Sequence, residues 1–376
     1  MDNRKGFCFP TRIEEFATFS EFSAAYEIGK EDLIFTSGHT WKDHIKDLHT
    51  GATGILRENY GKGEPTDEMV NRILADIRDI SCQRIIAIGG GSVIDIAKAL
   101  AVAAPGEDVD DLYEAKELKK RCELIIVPTT CGTGSEVTNI SVINRIRKGV
   151  KMGLSSPAMY PDAAVLIPEL LESLPYQVFA TSSIDAMIHS VESFLSPNGC
   201  SISRLFSKEA LRTIVSCWNQ TVSGRDWECY RSEFLRASNW AGIAFGFAGC
   251  AAVHALSYPL GAVHHIPHGQ SNQLMFAEVM RKYKSLATEG RLLELEEVLA
   301  GCLRVAPEQS LEALCELMDQ ILKRKPLAVF GVKEEELPEF AADVIKTQQR
   351  LLKNNLLPLS EEDILDIYRA AYEMLP

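Results

Sequence analysis

The sequence predicts an α/β protein in two parts: an N-terminal parallel-sheet domain over residues 1–175 and an all-α C-terminal domain over 176–376. Two observations carry this. Short apolar runs that end in glycine-rich or hydroxyl-rich turns alternate with helix-period segments, which implies parallel strands covered by helices on both faces. After Pro175 no convincing strand run occurs, and helical patterns fill the remainder.

Taken in order, residues 1–30 read as an entry segment with one short helix. Leu33-Ile34-Phe35-Thr36 is a buried strand that stops at Ser37-Gly38. A polar helical pattern follows near 41–49. His39, His44 and His49 lie there at five-residue spacing, which does not align on a helix face, so solvated surface is expected. Thr66 or Asp67 can cap the next helix, whose stripe is Val70, Ile73, Leu74 and Ile77. Arg84–Ile88 is a strand running into Gly89-Gly90-Gly91-Ser92 and a helix. Leu124–Val127 is another, followed by Pro128-Thr129-Thr130-Cys131-Gly132-Thr133-Gly134-Ser135. An antiparallel pair is expected near 139–144 and 150–154, and Ala163–Ile167 as the last strand. Helices are then expected over 176–195, 203–221, 228–246, 270–287, 292–303, 308–323, 335–354 and 360–374.

Bulk properties narrow the function classes. The 376 residues suffice for two full cores, and 46% hydrophobic with 24% charged is ordinary for a soluble globular protein. A net charge of -13 without a basic patch argues against nucleic-acid or anionic-membrane partners. Ten scattered cysteines without a CxxC read as reduced thiols. No signal peptide is evident, so a cytoplasmic protein is expected. Residues 240–263 are apolar and long enough to cross a bilayer. Their glycine, alanine, His254, Tyr258 and Pro259 instead favour a helix buried in a protein core.

Two stretches concentrate metal-binding chemistry. Asp185 and His189 stand four apart, hence on one face of a helix. His254 and His268 add two imidazoles. One carboxylate and three imidazoles suit one divalent metal, Fe(II) or Zn(II). A surface carboxylate and a core histidine is the bland reading of an isolated Asp-x-x-x-His. Five of the eight histidines falling between 189 and 268 favours the metal.

Gly90, Gly91 and Ser92 form a phosphate-binding candidate, because glycines admit close approach and free N–H groups at a helix start point at an anion. Ile94 stands where a GxGxxG pattern needs glycine, and a plain strand-to-helix turn explains three glycines about as well. The second loop shifts the balance: Thr129, Thr130, Thr133 and Ser135 supply hydroxyls beside Gly132 and Gly134. Both loops leave the C-terminal ends of predicted parallel strands, where ligands bind in open α/β sheets. A metal that grips an alcohol oxygen and a nicotinamide that takes hydride together make an alcohol dehydrogenase.

These motifs resemble the iron-containing alcohol dehydrogenase family over almost the whole chain: Gly89-Gly90-Gly91-Ser92 with Asp95 and Lys98, Pro128–Glu136, Asp185-x-x-x-His189, and His254 with His268-Gly269. The resemblance implies a Rossmann-like dinucleotide-binding domain followed by a helical metal-binding domain. It implies Asp185, His189, His254 and His268 as metal ligands, Gly90, Gly91 and Ser92 at the pyrophosphate, Thr129, Thr130 and Thr133 on the nucleotide, and Lys151 as a cofactor-binding lysine. Ser37 occupies the position where NAD-preferring relatives can carry Asp, so NAD is expected with NADP left open. Tyr258 stands where many relatives carry a histidine that is a candidate for moving the alcohol proton; Tyr258, His264 or His265 would take that role, or the cofactor ribose and water. His264 and His265 are also candidate partners for a substrate carboxylate.

Gly63–Met69, Asn239–Gly246 and Ala255–Pro259 are similar to the branch that interconverts 4-hydroxybutanoate and succinate semialdehyde. The expected substrate is therefore a short ω-hydroxy acid, with an uncharged alcohol or diol such as butanol or a propanediol as the alternative. A metal-dependent hydrolase and a non-catalytic nucleotide-binding scaffold are the readings from other classes. A homodimer or larger homo-oligomer is expected.

Overall fold

The computed structural model describes residues 6–287 and 289–373. The chain divides into two compact units, Cys8–Leu174 and Pro175–Pro376, the latter joined by the residues up to Phe7. Phe7 packs on Phe206 and Phe247 of the helical unit, with ring centroids 6.2 and 5.2 Å away.

The first unit holds eight strands: β1 (Arg12–Glu15), β2 (Asp32–Thr36), β3 (Thr53–Leu56), β4 (Arg84–Gly89), β5 (Glu123–Pro128), β6 (Ile140–Arg145), β7 (Val150–Ser155) and β8 (Ala163–Leu166). Six form one parallel sheet in the order β1-β8-β5-β4-β2-β3, and β6 and β7 pair antiparallel. Its helices of six residues or more are α1 (Phe19–Ala25), α2 (Asp67–Ile77), α3 (Gly91–Leu100) and α4 (Val109–Glu114).

Period-two alternation sorts the strand residues between two cores. Leu33, Phe35, Ile85, Ala87, Leu124 and Ile126 pack with Val70, Ile73, Ile94 and Ala97 on one face. Ile34, Ile86, Ile88, Ile125, Val127, Ala163 and Val165 pack with Phe19 and Phe22 on the other. Thr66 caps α2, its side chain accepting from the Met69 N–H.

Two strands escape the sequence reading. β1 carries Ile13 as its one apolar residue and lies on the sheet edge beside β8. β3 is four residues long, and the Trp41 indole lies so close over Gly54 that a Cβ there would meet its ring at 2.5 Å.

The second unit is helical: α5 (Tyr176–Leu195), α6 (Ser201–Val222), α7 (Arg231–Ala248), α8 (Ala252–His264), α9 (His268–Leu286), α10 (Arg291–Leu303), α11 (Ser310–Ile321), α12 (Leu337–Thr347) and α13 (Glu361–Glu373). The single helix expected over 240–263 is corrected here. The chain breaks at Gly249, and the segments on either side are bent by 104°. Gly249 adopts φ +82° with Asn354 pressed against it, a place no side chain fits. Among the described residues no single helix is long and apolar enough to cross a membrane.

Candidate functional site

The break at Gly249 starts α8 deep inside the helical unit, so the orphan N–H groups of its first turn need a buried acceptor. Glu192 of α5 supplies it. Its carboxylate accepts from Ala251 N (2.9 Å) and Val253 N (2.6 Å), and from His254 Nδ1 at 2.6 Å. Committing Nδ1–H to Glu192 leaves the Nε2 lone pair of His254 for something else. That atom is buried and has no hydrogen-bond partner.

It faces Asp185. His254 Nε2 lies 3.6 Å, and His268 Nε2 3.8 Å, from Asp185 Oδ1. Asp185, His254 and His268 each offer a donor atom within 4.8 Å of the others. The His189 ring stacks on that of His254 at 4.5 Å and on Phe245 at 4.1 Å. The four residues expected as ligands are thus brought together by three helices. Asn272, one turn beyond His268 on α9, donates to Asp185 Oδ1 at 2.7 Å and stands 3.3 Å from His268 Nε2. Close approach of α9 to α5 depends on Gly269, where a Cβ would run into the Thr181 carbonyl.

Burial disfavours the Asp185 carboxylate, but His189, His268 and His254 around it outweigh that and hold its pKa well below the carboxylate range. Burial likewise opposes charge on His254, yet Glu192 and Asp185 push its pKa up to about 9. Such a proton-hungry, acceptor-rich cluster suits a divalent cation: the donor set is one carboxylate and imidazoles, and an orphaned buried nitrogen points into it. Cys250 also lies within 4.8 Å of donor atoms of His189 and His254. Burial pushes its thiol well above the usual value, which keeps it neutral. His268 is the open side, with 35% of its side chain exposed, whereas Asp185 and His254 are buried.

Of the residues expected to handle the proton or a substrate carboxylate, Tyr258 is nearest, its ring 6.2 Å from that of His268. His264 turns toward Glu336 (3.3 Å) and Phe340. His265 is exposed and ends α8 in the left-handed conformation, φ +55°.

In the sheet unit, the glycine turn and threonine loop sit side by side at the C-terminal ends of β4 and β5, with Thr129 N bonded to the Gly89 carbonyl at 3.1 Å. A Cβ on Gly90 would press Thr130 at 3.2 Å, and one on Gly91 would meet Thr133 at 2.9 Å. No side chain caps α3, so its leading N–H groups at Gly91 and Ser92 remain for an anion.

Beneath them lies a buried network. Lys98 Nζ donates to Ser135 Oγ, Thr138 Oγ1 and the Ile140 carbonyl (2.8, 3.0 and 2.8 Å), and Ser135 Oγ donates to Asp95 at 2.8 Å. Val142 N also donates to Asp95 (3.0 Å). Burial lowers the Lys98 pKa to about 8 despite Asp95 and Glu136. Lys151 on β7 pairs with Glu64 at 2.7 Å. Ser37 caps a helical turn, its hydroxyl accepting from Thr40 N at 3.1 Å.

Glu192 and Asn272 escaped the sequence reading. Asp185, His189 and Glu192 fall at i, i+4 and i+7, one face of α5, and that period was the available signal.

Residues 14–168 match the family profile described as iron-containing alcohol dehydrogenase, and residues 179–372 the one described as Fe-containing alcohol dehydrogenase family, C-terminal. The chain belongs to the iron-containing alcohol dehydrogenase family. It is 46% identical, over 96% of its length and 98% of the relative's, to a 4-hydroxybutyrate dehydrogenase of Clostridium kluyveri. It is 35% identical over 82% of its length, and 80% of the relative's, to long-chain-alcohol dehydrogenase 1 of Geobacillus thermodenitrificans. Among solved structures, an iron-containing alcohol dehydrogenase from Thermococcus thioreducens superposes with a TM-score of 0.85 at 26% identity, covering 98% of this chain and 100% of that one.

Proposed function

We propose that this protein catalyses the reversible oxidation of 4-hydroxybutanoate to succinate semialdehyde with NAD. The observation that carries the chemistry is the convergence of Asp185, His254 and His268, with His189 stacked alongside, around a buried His254 Nε2 that has no hydrogen-bond partner. The observation that favours the substrate is the 46% identity to a 4-hydroxybutyrate dehydrogenase.

In this reading residues 1–175 bind the dinucleotide and residues 176–376 hold the metal. Asp185, His189, His254 and His268 ligate one divalent ion, with iron favoured by the family over zinc. When bound, that ion polarises the substrate's oxygen and the nicotinamide exchanges hydride with the neighbouring carbon. Glu192 fixes the His254 tautomer and ring direction. Asn272 orients the Asp185 carboxylate. Gly90, Gly91 and Ser92 present backbone N–H groups to the pyrophosphate, Thr129, Thr130 and Thr133 stand beside them, and Lys151 of β7 is a further contact to the cofactor. Tyr258, beside the open ligand His268, is better placed to move a proton than His264, which faces Glu336. His265 is left as the exposed cation candidate for a substrate carboxylate. A homodimer or larger assembly in the cytoplasm completes the reading.

The test is steady-state kinetics on iron- and zinc-reconstituted protein. Succinate semialdehyde should be reduced with NADH, activity should vanish with a chelator and return with metal, and butanal should be a poorer substrate by kcat/KM. Butanal matching succinate semialdehyde would shift the assignment to an uncharged alcohol. Absence of turnover with either would overturn it.

A further inference from the structure

The C-terminal ends of three adjacent strands line up: Ile88 of β4 is in register with Thr36 of β2, and Thr36 with Leu56 of β3. Just beyond these ends come the glycine turn at 89–91, then Ser37, then Glu58. Neighbouring strands lie roughly 4.8 Å apart, so Glu58 departs about 10 Å from the glycine turn. Its side chain does not point away. Glu58 Oε2 accepts from Gly38 N at 2.9 Å, which brings the carboxylate back over the end of β2.

Ser37, the first residue after β2, carries no charge and spends its hydroxyl on Thr40. The position next to a phosphate-binding turn, at the end of the adjoining strand, is where an acidic side chain takes the ribose 2'-hydroxyl of NAD and rejects a 2'-phosphate. Here the strand end itself lacks the acid, and the neighbouring strand delivers one to the same place. The nearest cation in sequence, Arg57, directs one guanidinium N–H to the Gly63 carbonyl.

Resting on the proposed nicotinamide-linked reading, we infer that Glu58 is the residue that selects NAD over NADP, its carboxylate bonding the adenosine ribose diol and repelling a 2'-phosphate. Glu58 is exposed on a one-turn element. Glu58→Gln keeps an oxygen for Gly38 N while removing the charge, so the turn is retained.

The experiment is a fluorescence titration giving Kd for NADH and for NADPH, on the wild type and Glu58→Gln, with thermal unfolding as a check on the fold. The wild type should bind NADH tighter than NADPH. Like-charge repulsion at a binding surface is large enough that Glu58→Gln should shrink that preference by roughly tenfold, mainly through tighter NADPH binding. A preference unchanged in Glu58→Gln, or both affinities falling together, overturns the assignment. A wild type that binds NADPH as well as NADH overturns it too, while leaving the dehydrogenase reading intact. Binding of neither nucleotide removes the cofactor reading itself and this inference with it.

Discussion

Glu192→Gln isolates the contribution of a carboxylate that would never touch the metal. Glu192 accepts three N–H groups, from Ala251, Val253 and His254. Glutamine offers one oxygen and a donor NH2, so at least one of those groups loses its acceptor. In a buried site that costs the fold roughly 1–3 kcal/mol. The His254 ring also loses the partner that aims Nε2 and makes it basic, which lowers metal affinity by about 10–100-fold. Proton competition works the other way. With the His254 pKa raised to about 9, metal at pH 7 must displace a proton held about two pH units above ambient. The variant relieves much of that competition. The loss should therefore be largest at pH 9 and partly cancelled at pH 7. Zinc or cobalt titrated against a competing chelator at both pH values measures it. A variant whose affinity matches the wild type at pH 9, or whose loss is the same at both pH values, would show that Glu192 acts on the fold alone.

Gly269→Ala should force α9 away from α5 because the added methyl meets the Thr181 carbonyl. Overpacking of this kind costs roughly 1–3 kcal/mol, and bound metal measured by emission spectrometry should fall with it. Lys98→Met takes the donor away from Ser135, Thr138 and the Ile140 carbonyl and removes the largest positive influence on half-buried Asp95, and should destabilise the protein by roughly 1–3 kcal/mol in urea unfolding; an unchanged midpoint would refute the network's role. The metal-free protein should lose stability as pH rises from about 6.5 toward 9. His254 gains proton affinity on folding: below the window both states are protonated, and across it the native state keeps a proton that the unfolded chain has released, so stability falls until the folded pKa is passed. The zinc-loaded protein, in which the ion replaces that proton, should show no such slope in its unfolding midpoint, and an identical slope in both forms would refute the assignment to His254.

Much of the candidate site was legible because its residues stand at short, periodic spacing on helices and loops. Asp185 and His189 share a helix face, and the glycine and threonine loops follow short continuous apolar runs that end in turn residues. What stayed hidden depends on contacts distant in sequence. Glu192 reaches His254 across sixty-two positions, and Asn272 reaches Asp185 across eighty-seven. The break at Gly249 was masked by an apolar run, and the side chain that packs against it and bonds the Cys250 carbonyl, Asn354, lies far along the chain. β1 was missed because an edge strand with one apolar residue lacks the alternation that marks a half-buried one.

Charge balance ties the buried residues together. Asp185 and Glu192 place two carboxylates in one enclosed space, with no lysine or arginine among the residues that set the Asp185 and His254 pKa values. Two buried negative charges without compensation are untenable, so the cluster must take up positive charge. In the metal-free protein the imidazoles supply it: His189, His268 and His254 lower the Asp185 pKa, and Glu192 and Asp185 raise that of His254. A divalent cation supplies both units at once and needs the His254 nitrogen without its proton. Glu192 has its place here: its oxygens are committed to backbone N–H groups and to His254 Nδ1, and its charge adds to that of Asp185, so a doubly charged ion balances the two carboxylates.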